Sequence, residues 1–250
     1  YKVIISGGTL NATSTNAEAG VVSLEGNAVE LNSGAINAKT TNLTSNVRIT
    51  ENAGFALVTP VLNTSTAGFT TLDSTFNQLE KVNILSAGDS VTIGSANSKN
   101  DNALQINTNA SIVGNMTVTN YKDGSANVNA IEVPAQLQAG GTITLINEET
   151  AIIVDNTASI NATDVAMNAT EITVAGTVNA TNDVSLSSDG SMTINGNVAA
   201  SRDANLTAGS GLSVAGKVTA TNATTLNAGS ITVNGKVETT NEKTTLTSAE

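Results

Sequence analysis

Three aspartates recur at equivalent points of the chain and are the residues whose type and spacing best suit chemistry. Asp164, Asp183 and Asp203 each stand just before a small or branched apolar residue, about twenty positions apart. If the units that carry them stack, the carboxylates form a column, in which like charges repel unless they face water or share a cation. Each carboxylate then either accepts a hydrogen bond from a nearby backbone N–H in an Asx-type turn or helps to bind calcium along the column.

The rest of the sequence offers little material for catalysis or metal binding. Histidine and cysteine are absent, which removes the commonest general base, the histidine-based triads and thiolate metal sites. The Gly-Gly-x-Gly-x-Asp repeat of calcium-binding β-rolls is also absent. The chain has three Phe, two Tyr and no Trp, so few aromatic rings are available to stack on sugars. We therefore expect no enzyme, no catalytic residues, no cofactor and, apart from the calcium hypothesis, no metal.

The aspartates belong to a repeat of about twenty residues. It is clearest over 172–190, 192–210, 212–230 and 231–250, which read ITVAGTVNATNDVSLSSDG, MTINGNVAASRDANLTAGS, LSVAGKVTATNATTLNAGS and ITVNGKVETTNEKTTLTSAE. A unit this short cannot bury its own apolar face, so it must stack on its neighbours. The repeat therefore predicts an elongated solenoid.

Apolar residues within the repeat have the spacing of β-strands. They recur at offsets of about 0, 2, 6, 12 and 14, for example at Ile131, Val133, Leu137, Ile143 and Leu145, at Ile172, Val174, Val178, Val184 and Leu186, and at Met192, Ile194, Val198, Ala204 and Leu206. Residues two apart lie on one face of a strand, and helical spacing is absent. Because Thr, Ser and Asn fill the alternate positions, each repeat is predicted to hold two or three short strands with a common inward face.

Two sets of equivalent residues define the predicted register. An aliphatic column consists of Ile93, Ile112, Val133, Val154, Val174, Ile194, Val214 and Val233, which are 19 to 21 residues apart. A glycine column consists of Gly114, Gly176, Gly196, Gly216 and Gly235. Because Asn-Gly is a strong signal for a tight turn with positive φ, we expect these glycines to adopt that conformation.

These patterns predict an all-β fold, a single parallel β-helix over residues 1–250 with about twenty residues per coil and roughly twelve coils. Residues 46–81 fit the repeat least well and contain all three phenylalanines. We expect there either irregular, wider coils with larger core side chains or a local protrusion that binds a partner. Segment 119–130 reads as a loop inserted between two coils, with Tyr121 and Lys122 exposed.

The net charge of −11 limits the partners of the chain. Nucleic-acid binding requires clustered Lys and Arg, whereas Arg48 and Arg202 are isolated here. The same charge disfavours anionic lipid, and no apolar run approaches the roughly 18 residues of a membrane helix. We expect no nucleic acid partner and no membrane insertion. Because the chain begins at Tyr1, without Met or a signal peptide, we also expect a processed piece of a longer protein.

The repeats also resemble a known family. The form VxGxVxAxxDVxLxAG in 172–190 and 212–230 is similar to the shaft repeats of filamentous-haemagglutinin-like large exoproteins, adhesins that Gram-negative bacteria export by two-partner secretion. The resemblance is good over 91–250 and implies a right-handed parallel β-helix, secretion or display at the cell outer membrane, and roles in cell adhesion, aggregation, biofilm formation and virulence. The NPNG-type motif of the family's secretion domain is not evident here, and none of the family's binding sites transfers to a residue of this sequence.

Three functional hypotheses follow from this sequence. The chain is the shaft of a secreted or surface-exposed bacterial adhesin whose partner is a host or neighbouring cell surface. Alternatively, it is a self-assembling subunit of an extracellular fibre or sheath, whose partner is another copy bound end to end, because open β-helix ends expose unpaired strand edges. A minor alternative is a β-helical enzyme that acts on polysaccharides.

Overall fold

The computed structural model describes residues 1–12, 20–96, 103–108, 112–122 and 130–248. These residues form strands and no helix. The strands are β1 (Lys2–Ala12), β2 (Val21–Ala38), β3 (Thr40–Glu51), β4 (Phe55–Thr66), β5 (Phe69–Leu72), β6 (Gln78–Ala87), β7 (Val91–Ser95), β8 (Leu104–Thr108), β9 (Met116–Asn120), β10 (Ile131–Val133), β11 (Gln136–Gln138), β12 (Thr142–Asn147), β13 (Ala151–Val154), β14 (Ser159–Ala162), β15 (Asp164–Ala169), β16 (Glu171–Val174), β17 (Thr177–Ala180), β18 (Val184–Ser188), β19 (Met192–Ile194), β20 (Asn197–Ala200), β21 (Asp203–Val214), β22 (Lys217–Ala220), β23 (Ala223–Val233), β24 (Lys236–Thr239) and β25 (Thr244–Ser248).

The strands stack in parallel as a β-solenoid of about 11 turns with roughly 20 residues per turn. In the C-terminal half, each turn contributes three segments, such as β16, β17 and β18, of which the middle one belongs to a separate six-stranded sheet. The other two segments belong to a 19-stranded sheet, which continues through the N-terminal half. The predicted parallel β-helix is therefore confirmed.

The predicted aliphatic column is confirmed over its last six members. Each faces the next across a parallel strand pair, in the order Val133, Val154, Val174, Ile194, Val214 and Val233. The first five are fully buried, whereas Val233 in the last turn is 39% exposed. The turns have nearly constant lengths, so equivalent residues lie one coil apart. A slip of one residue would turn the apolar side chains of the strand outward.

The prediction that Ile93 and Ile112 belong to the same column is wrong. Ile93 lies on the face shared by β5, β7 and β9, and Ile112 forms isolated bridges on another face. Val82 and Ile106 take their places, since Val82 faces Ile106 and the pairing of β8 with β10 continues to Val133. The reason is coil length, because 24 residues separate Val82 from Ile106 and 27 separate Ile106 from Val133.

A single aliphatic core runs through the stack. Its members are almost all Val, Ile, Leu, Met and Ala, and Phe55 is the largest side chain that is fully buried. Burial of each large aliphatic side chain contributes about 1.5–3 kcal/mol. Because each turn contacts mainly its two neighbours, the stability of such a solenoid is close to a sum over turns and their interfaces.

Residues 46–81 are part of the same stack. β3, β4, β5 and β6 pair in parallel with their neighbours through this segment. Phe55 fills the core, whereas Phe69 and Phe76 are 37% and 59% exposed. The segment thus places one phenylalanine inside the coil and two on its surface.

The predicted loop at 119–130 lies mostly outside the described residues, because 123–129 are not among them. Lys122 is exposed as expected, but Tyr121 is half-buried. The Tyr121 hydroxyl donates a hydrogen bond to the carbonyl oxygen of Asp73 at 3.3 Å. Its ring lies over Gly94, where an added Cβ would come within 2.6 Å of Tyr121 Cε2. The exposed position that the sequence predicted for Tyr121 is therefore wrong, because a glycine in the adjacent coil leaves room for the ring.

Candidate functional site

The aspartate column (Asp164, Asp183 and Asp203) lies where the strands of one face begin. Asp164 and Asp203 open β15 and β21, and Asp183 immediately precedes β18. Asp164 Oδ1 accepts a hydrogen bond from the backbone N–H of Asp183, and Asp183 Oδ1 from that of Asp203, both at 3.1 Å. Asp203 Oδ1 accepts from the backbone N–H of Ala223, also at 3.1 Å. Each carboxylate therefore binds the equivalent residue of the following coil.

The N–H groups that donate these hydrogen bonds are not those of the expected Asx-type turn. The N–H groups that the carboxylates accept lie 19 or 20 residues further along the chain, rather than in the same turn. Parallel stacking explains the difference, because it brings equivalent residues of adjacent coils within about 4.8 Å. A carboxylate bonded in this way ties one coil to the next at a fixed register.

The guanidinium of Arg202 and the side-chain amide of Asn182 also donate hydrogen bonds to the aspartate column. Arg202 Nε donates to Asp183 Oδ1 at 2.7 Å, and its Nη2 contacts Oδ2 of the same carboxylate. Arg202 Nε also lies 3.6 Å from Asp203 Oδ2, and Asn182 Nδ2 donates to Asp164 Oδ1 at 2.8 Å. The hydrogen bond to Asp183 raises the pKa of the Arg202 guanidinium above its usual range. The guanidinium therefore offsets the repulsion between the stacked carboxylates.

The contacts of the column leave calcium without a set of free ligands. Calcium takes six to eight oxygen ligands, whereas the Oδ1 atom of each aspartate already accepts a backbone N–H. Across the described ranges, no group of three or more His, Cys, Asp or Glu side chains is placed to hold a metal ion. A bound cation would have to displace Arg202 from Asp183. Calcium binding at Asp164, Asp183 and Asp203 stays a hypothesis to be tested in solution.

The glycine column is required for close stacking rather than for a special backbone conformation. The described glycines with positive φ are Gly7, Gly8, Gly20 and Gly34, so the predicted positive φ at Gly176, Gly196, Gly216 and Gly235 is wrong. A Cβ added to Gly196 would lie 1.9 Å from the carbonyl oxygen of Gly176, and one added to Gly216 would lie 1.9 Å from that of Gly196. Gly114 precedes β9 at a different corner and is not a member.

Asparagine side chains add a second contact between coils on the outer surface. Asn63 Nδ2 donates to Asn42 Oδ1 at 2.8 Å, and Asn83 Nδ2 donates to Asn63 Oδ1 at 2.8 Å. These residues face each other in the pairing of β3, β4 and β6. The amides thus support the same register as the carboxylates do further along the chain.

A polar cluster that was not predicted from the sequence lies inside the core. Glu51 is 7% exposed and faces Leu31 in an otherwise aliphatic column. Its Oε2 accepts hydrogen bonds from the Ser74 backbone N–H at 3.0 Å and from Asn77 Nδ2 at 2.7 Å, while Oε1 is buried without a partner. Burial, with a smaller contribution from the charge of Asp73, raises the pKa of the Glu51 carboxyl to about 7 against the effect of these hydrogen bonds.

A signal for this cluster is present in the sequence. Glu51 stands two residues after Ile49 in the segment VRITE, and the strand alternation therefore places it on the buried side with Ile49. Both residues are indeed buried. A charged residue in phase with the apolar side of a strand indicates a buried polar site.

A shallow groove on the outer surface has two carboxylates in its lining, those of Glu80 and Glu132. It has a volume of about 450 Å³ and is lined by Pro60, Val61, Glu80, Lys81, Ala103, Gln105 and Glu132. Gln105 Nε2 donates to Glu132 Oε2 at 2.8 Å. We assign no catalytic role to these residues.

Comparison with known proteins gives no match from which a family or a function could be assigned. No helix in the described part of the chain is long and apolar enough to cross a membrane. No protein-family model matches the chain, and no curated protein and no solved structure matches it either.

Proposed function

We propose that the chain is a structural shaft of a secreted or surface-exposed Gram-negative bacterial adhesin, which mediates attachment to host or neighbouring cells or their aggregation. A β-solenoid of about 11 turns is compatible with a structural shaft, and this is the observation that carries the proposal. The stacked glycines and aspartates repeat the same contacts between successive coils. The adhesin part of the proposal rests on the resemblance of the repeats at 172–190 and 212–230 to exoprotein shafts.

Gene disruption in the bacterium that encodes the chain tests this function. We expect the protein in the medium or on the cell surface, and we expect attachment and cell aggregation to fall when the gene is disrupted and to recover on complementation. A protein confined to the cytoplasm, with attachment unchanged, would contradict the proposal.

Deletion of whole coils tests the shaft role separately. Met192 faces Leu212, so removing 192–211 joins equivalent strand positions and shortens the stack by one turn. Removing 192–201 cuts a coil in half and places the following strands out of register. A shaft should keep attachment after the first deletion and lose it after the second. Loss of attachment after both, with the first variant correctly folded, would argue that this coil holds a binding site.

A second candidate function is end-to-end assembly into an extracellular fibre or sheath. The last described strand, β25, pairs with β23 on one side, and its Leu246 is 52% exposed. Leu246 continues the buried column of Leu226. A second copy stacked on this edge would bury both the strand edge and the apolar side chain.

Sedimentation over a range of concentrations, for the chain and two lysine variants, tests the assembly. Association should weaken in Leu246→Lys, which places a charge in the core column, and persist in Thr247→Lys, which is a matched change on the same strand. A mass that stays monomeric at all concentrations would exclude the fibre function for this chain.

A further inference from the structure

Glu51 is the centre of a polar cluster that links neighbouring coils through the core. Ser74, whose backbone N–H binds Glu51, also donates from Oγ to the carbonyl oxygens of Ala53 at 3.1 Å and Phe55 at 2.7 Å. The Phe76 backbone N–H in turn donates to Ser74 Oγ at 3.2 Å. The corner between β5 and β6, residues 73–77, is therefore attached to the preceding coil through Glu51 and Ser74.

Asn77 continues the cluster in both directions along the stack. Its side chain is fully buried, and its Oδ1 accepts the Leu57 backbone N–H at 2.8 Å. Its Nδ2 donates to Glu51 and lies 3.3 Å from the Gly94 carbonyl oxygen in the following coil. The Ala96 backbone N–H donates to the Asn77 carbonyl oxygen at 2.7 Å. Corner 73–77 thus contacts three successive coils, and the buried Glu51 carboxyl accepts two of the hydrogen bonds that hold it there.

The charges around Glu51 favour its neutral form. Asp73 lies on the same corner and acts on Glu51 by repulsion, and the Tyr121 hydroxyl packs on the Asp73 backbone. Arg48 on β3 pairs with Glu30 on β2, and Lys2 on β1 also pairs with Glu30. β4, β5 and β7 carry no charged residue, and Glu80 and Lys81 on β6 line the outer groove. Among the described residues, no cation forms an ion pair with Glu51.

We propose that Glu51 is a proton-dependent latch, which holds corner 73–77 in the stack while its carboxyl is protonated and releases the corner when the carboxyl ionises. Ionisation strengthens the two hydrogen bonds that Oε2 accepts, but it also places a charge with no cation beside it in an otherwise aliphatic column. Burial has the larger effect, so the ionised form is costly unless the site opens to water. The released corner carries Phe76, which is already 59% exposed. The shaft therefore softens at one corner as the pH rises, whatever surface the whole protein binds.

The direction of the pH effect follows from linkage. The pKa of Glu51 is about 7 in the closed corner and returns towards its ordinary value of about 4.3 when the corner opens. The closed corner then holds the proton more tightly, so its stability is fully present below the lower pKa and is lost as the pH rises to the higher one. Between about pH 5.5 and pH 8.5 the opening equilibrium should rise by roughly 30-fold.

Amide hydrogen exchange followed by mass spectrometry measures this opening directly. In the wild-type chain, peptides covering 72–79 should lose protection by roughly 30-fold over that pH range, after correction for the intrinsic exchange rate, while peptides covering 192–214 stay constant. In Glu51→Gln, which stays neutral at every pH, the peptides covering 72–79 should stay protected. Equal pH dependence in the wild type and in Glu51→Gln would overturn the latch.

A fluorescent variant keeps the test decisive if Glu51→Gln folds poorly. The chain contains no tryptophan, so Phe76→Trp places a single reporter on the exposed part of the corner. Its emission should change with a midpoint near the pKa of Glu51, about 7. Adding Asp73→Asn should move the midpoint to lower pH, since it removes the repulsion that disfavours the ionised form. Emission that is constant between about pH 5 and pH 9, or an unmoved midpoint, would also overturn the proposal.

Discussion

At the scale of single residues, a parallel stack changes what an ordinary side chain does. Asp183 accepts the backbone N–H of Asp203 in the next coil and binds the Arg202 guanidinium. In an isolated turn the same carboxylate would bond within its own loop. Here the repeat makes the hydrogen bond a contact between coils, and the column of three aspartates fixes the register.

Replacement of Asp183 by alanine should therefore destabilise the stack. The Asp203 N–H loses its acceptor, and we expect a cost of about 1 kcal/mol in the free energy of unfolding, measured by urea denaturation. Asp183→Asn keeps an acceptor oxygen and should cost less. The matched control is Asp189→Ala, which removes the same charge at an exposed position. Equal losses in Asp183→Ala and Asp189→Ala would show that charge, not the hydrogen bond, decides the effect.

Calcium should leave the melting temperature unchanged. The Oδ1 atoms of the aspartate column already accept backbone N–H groups, and Arg202 neutralises Asp183. The measurement is a thermal melt with and without millimolar calcium, with magnesium as the control cation. A calcium-specific increase in Tm that disappears in Asp183→Asn would establish the metal site instead.

The glycine column supplies the clearest steric prediction. Gly196→Ala would place a Cβ 1.9 Å from the Gly176 carbonyl oxygen, so two coils must separate, at a cost of about 2 kcal/mol or more. At Gly54 an added Cβ meets no atom within 4 Å, and Gly54→Ala should be neutral or slightly stabilising. Urea denaturation of both variants is the measurement. A neutral Gly196→Ala would contradict the close approach of these two coils.

At the scale of strands and coils, the core columns should dominate the stability. Leu206 is fully buried between Leu186 and Leu226, so Leu206→Ala should cost about 2–5 kcal/mol. Leu85 is 43% exposed, and Leu85→Ala should cost about 0.5 kcal/mol or less. The two free energies of unfolding, measured under the same conditions, should differ severalfold. Similar costs would mean that Leu206 is not inside the stack.

The same columns mark how far sequence could predict the elements. From Val133 onward the coils have nearly constant length, so the alternation alone gave the facing residues. Between Val82 and Val133 the coils lengthen to 24 and 27 residues, and counting by twenty assigned Ile93 and Ile112 to the wrong column. A constant repeat length carries no information about a corner that contains extra residues.

The polar contacts were less predictable than the strands. Spacing placed Asp164, Asp183 and Asp203 in one column, but the N–H groups that they bind depend on the height between coils. The glycine column was found by its spacing and misinterpreted, because a carbonyl in the preceding coil excludes a side chain as effectively as a positive φ does. The burial of Glu51 could be predicted only by applying the strand alternation to a charged residue.

At the scale of the whole molecule, the chain is a rod. About 11 turns at about 4.8 Å per turn give a length of roughly 50 Å. Each turn rests on its neighbours, so shortening by whole coils preserves the cross-section whereas any other deletion disturbs it. This property makes the fold suitable for a shaft.

Engineered disulfides test the stacking most directly, since the chain contains no cysteine. Thr173 faces Thr193, and Thr193 faces Ser213, so the cysteine pairs 173/193 and 193/213 lie one coil apart, within the Cα separation of about 4.4–6.8 Å that a disulfide spans. The pair 173/213 lies two coils apart, at about 9.6 Å. We predict that the two adjacent pairs oxidise to intramolecular disulfides, measured by intact mass, and that the third does not. Rapid oxidation of 173/213 with failure of the adjacent pairs would contradict the parallel stack.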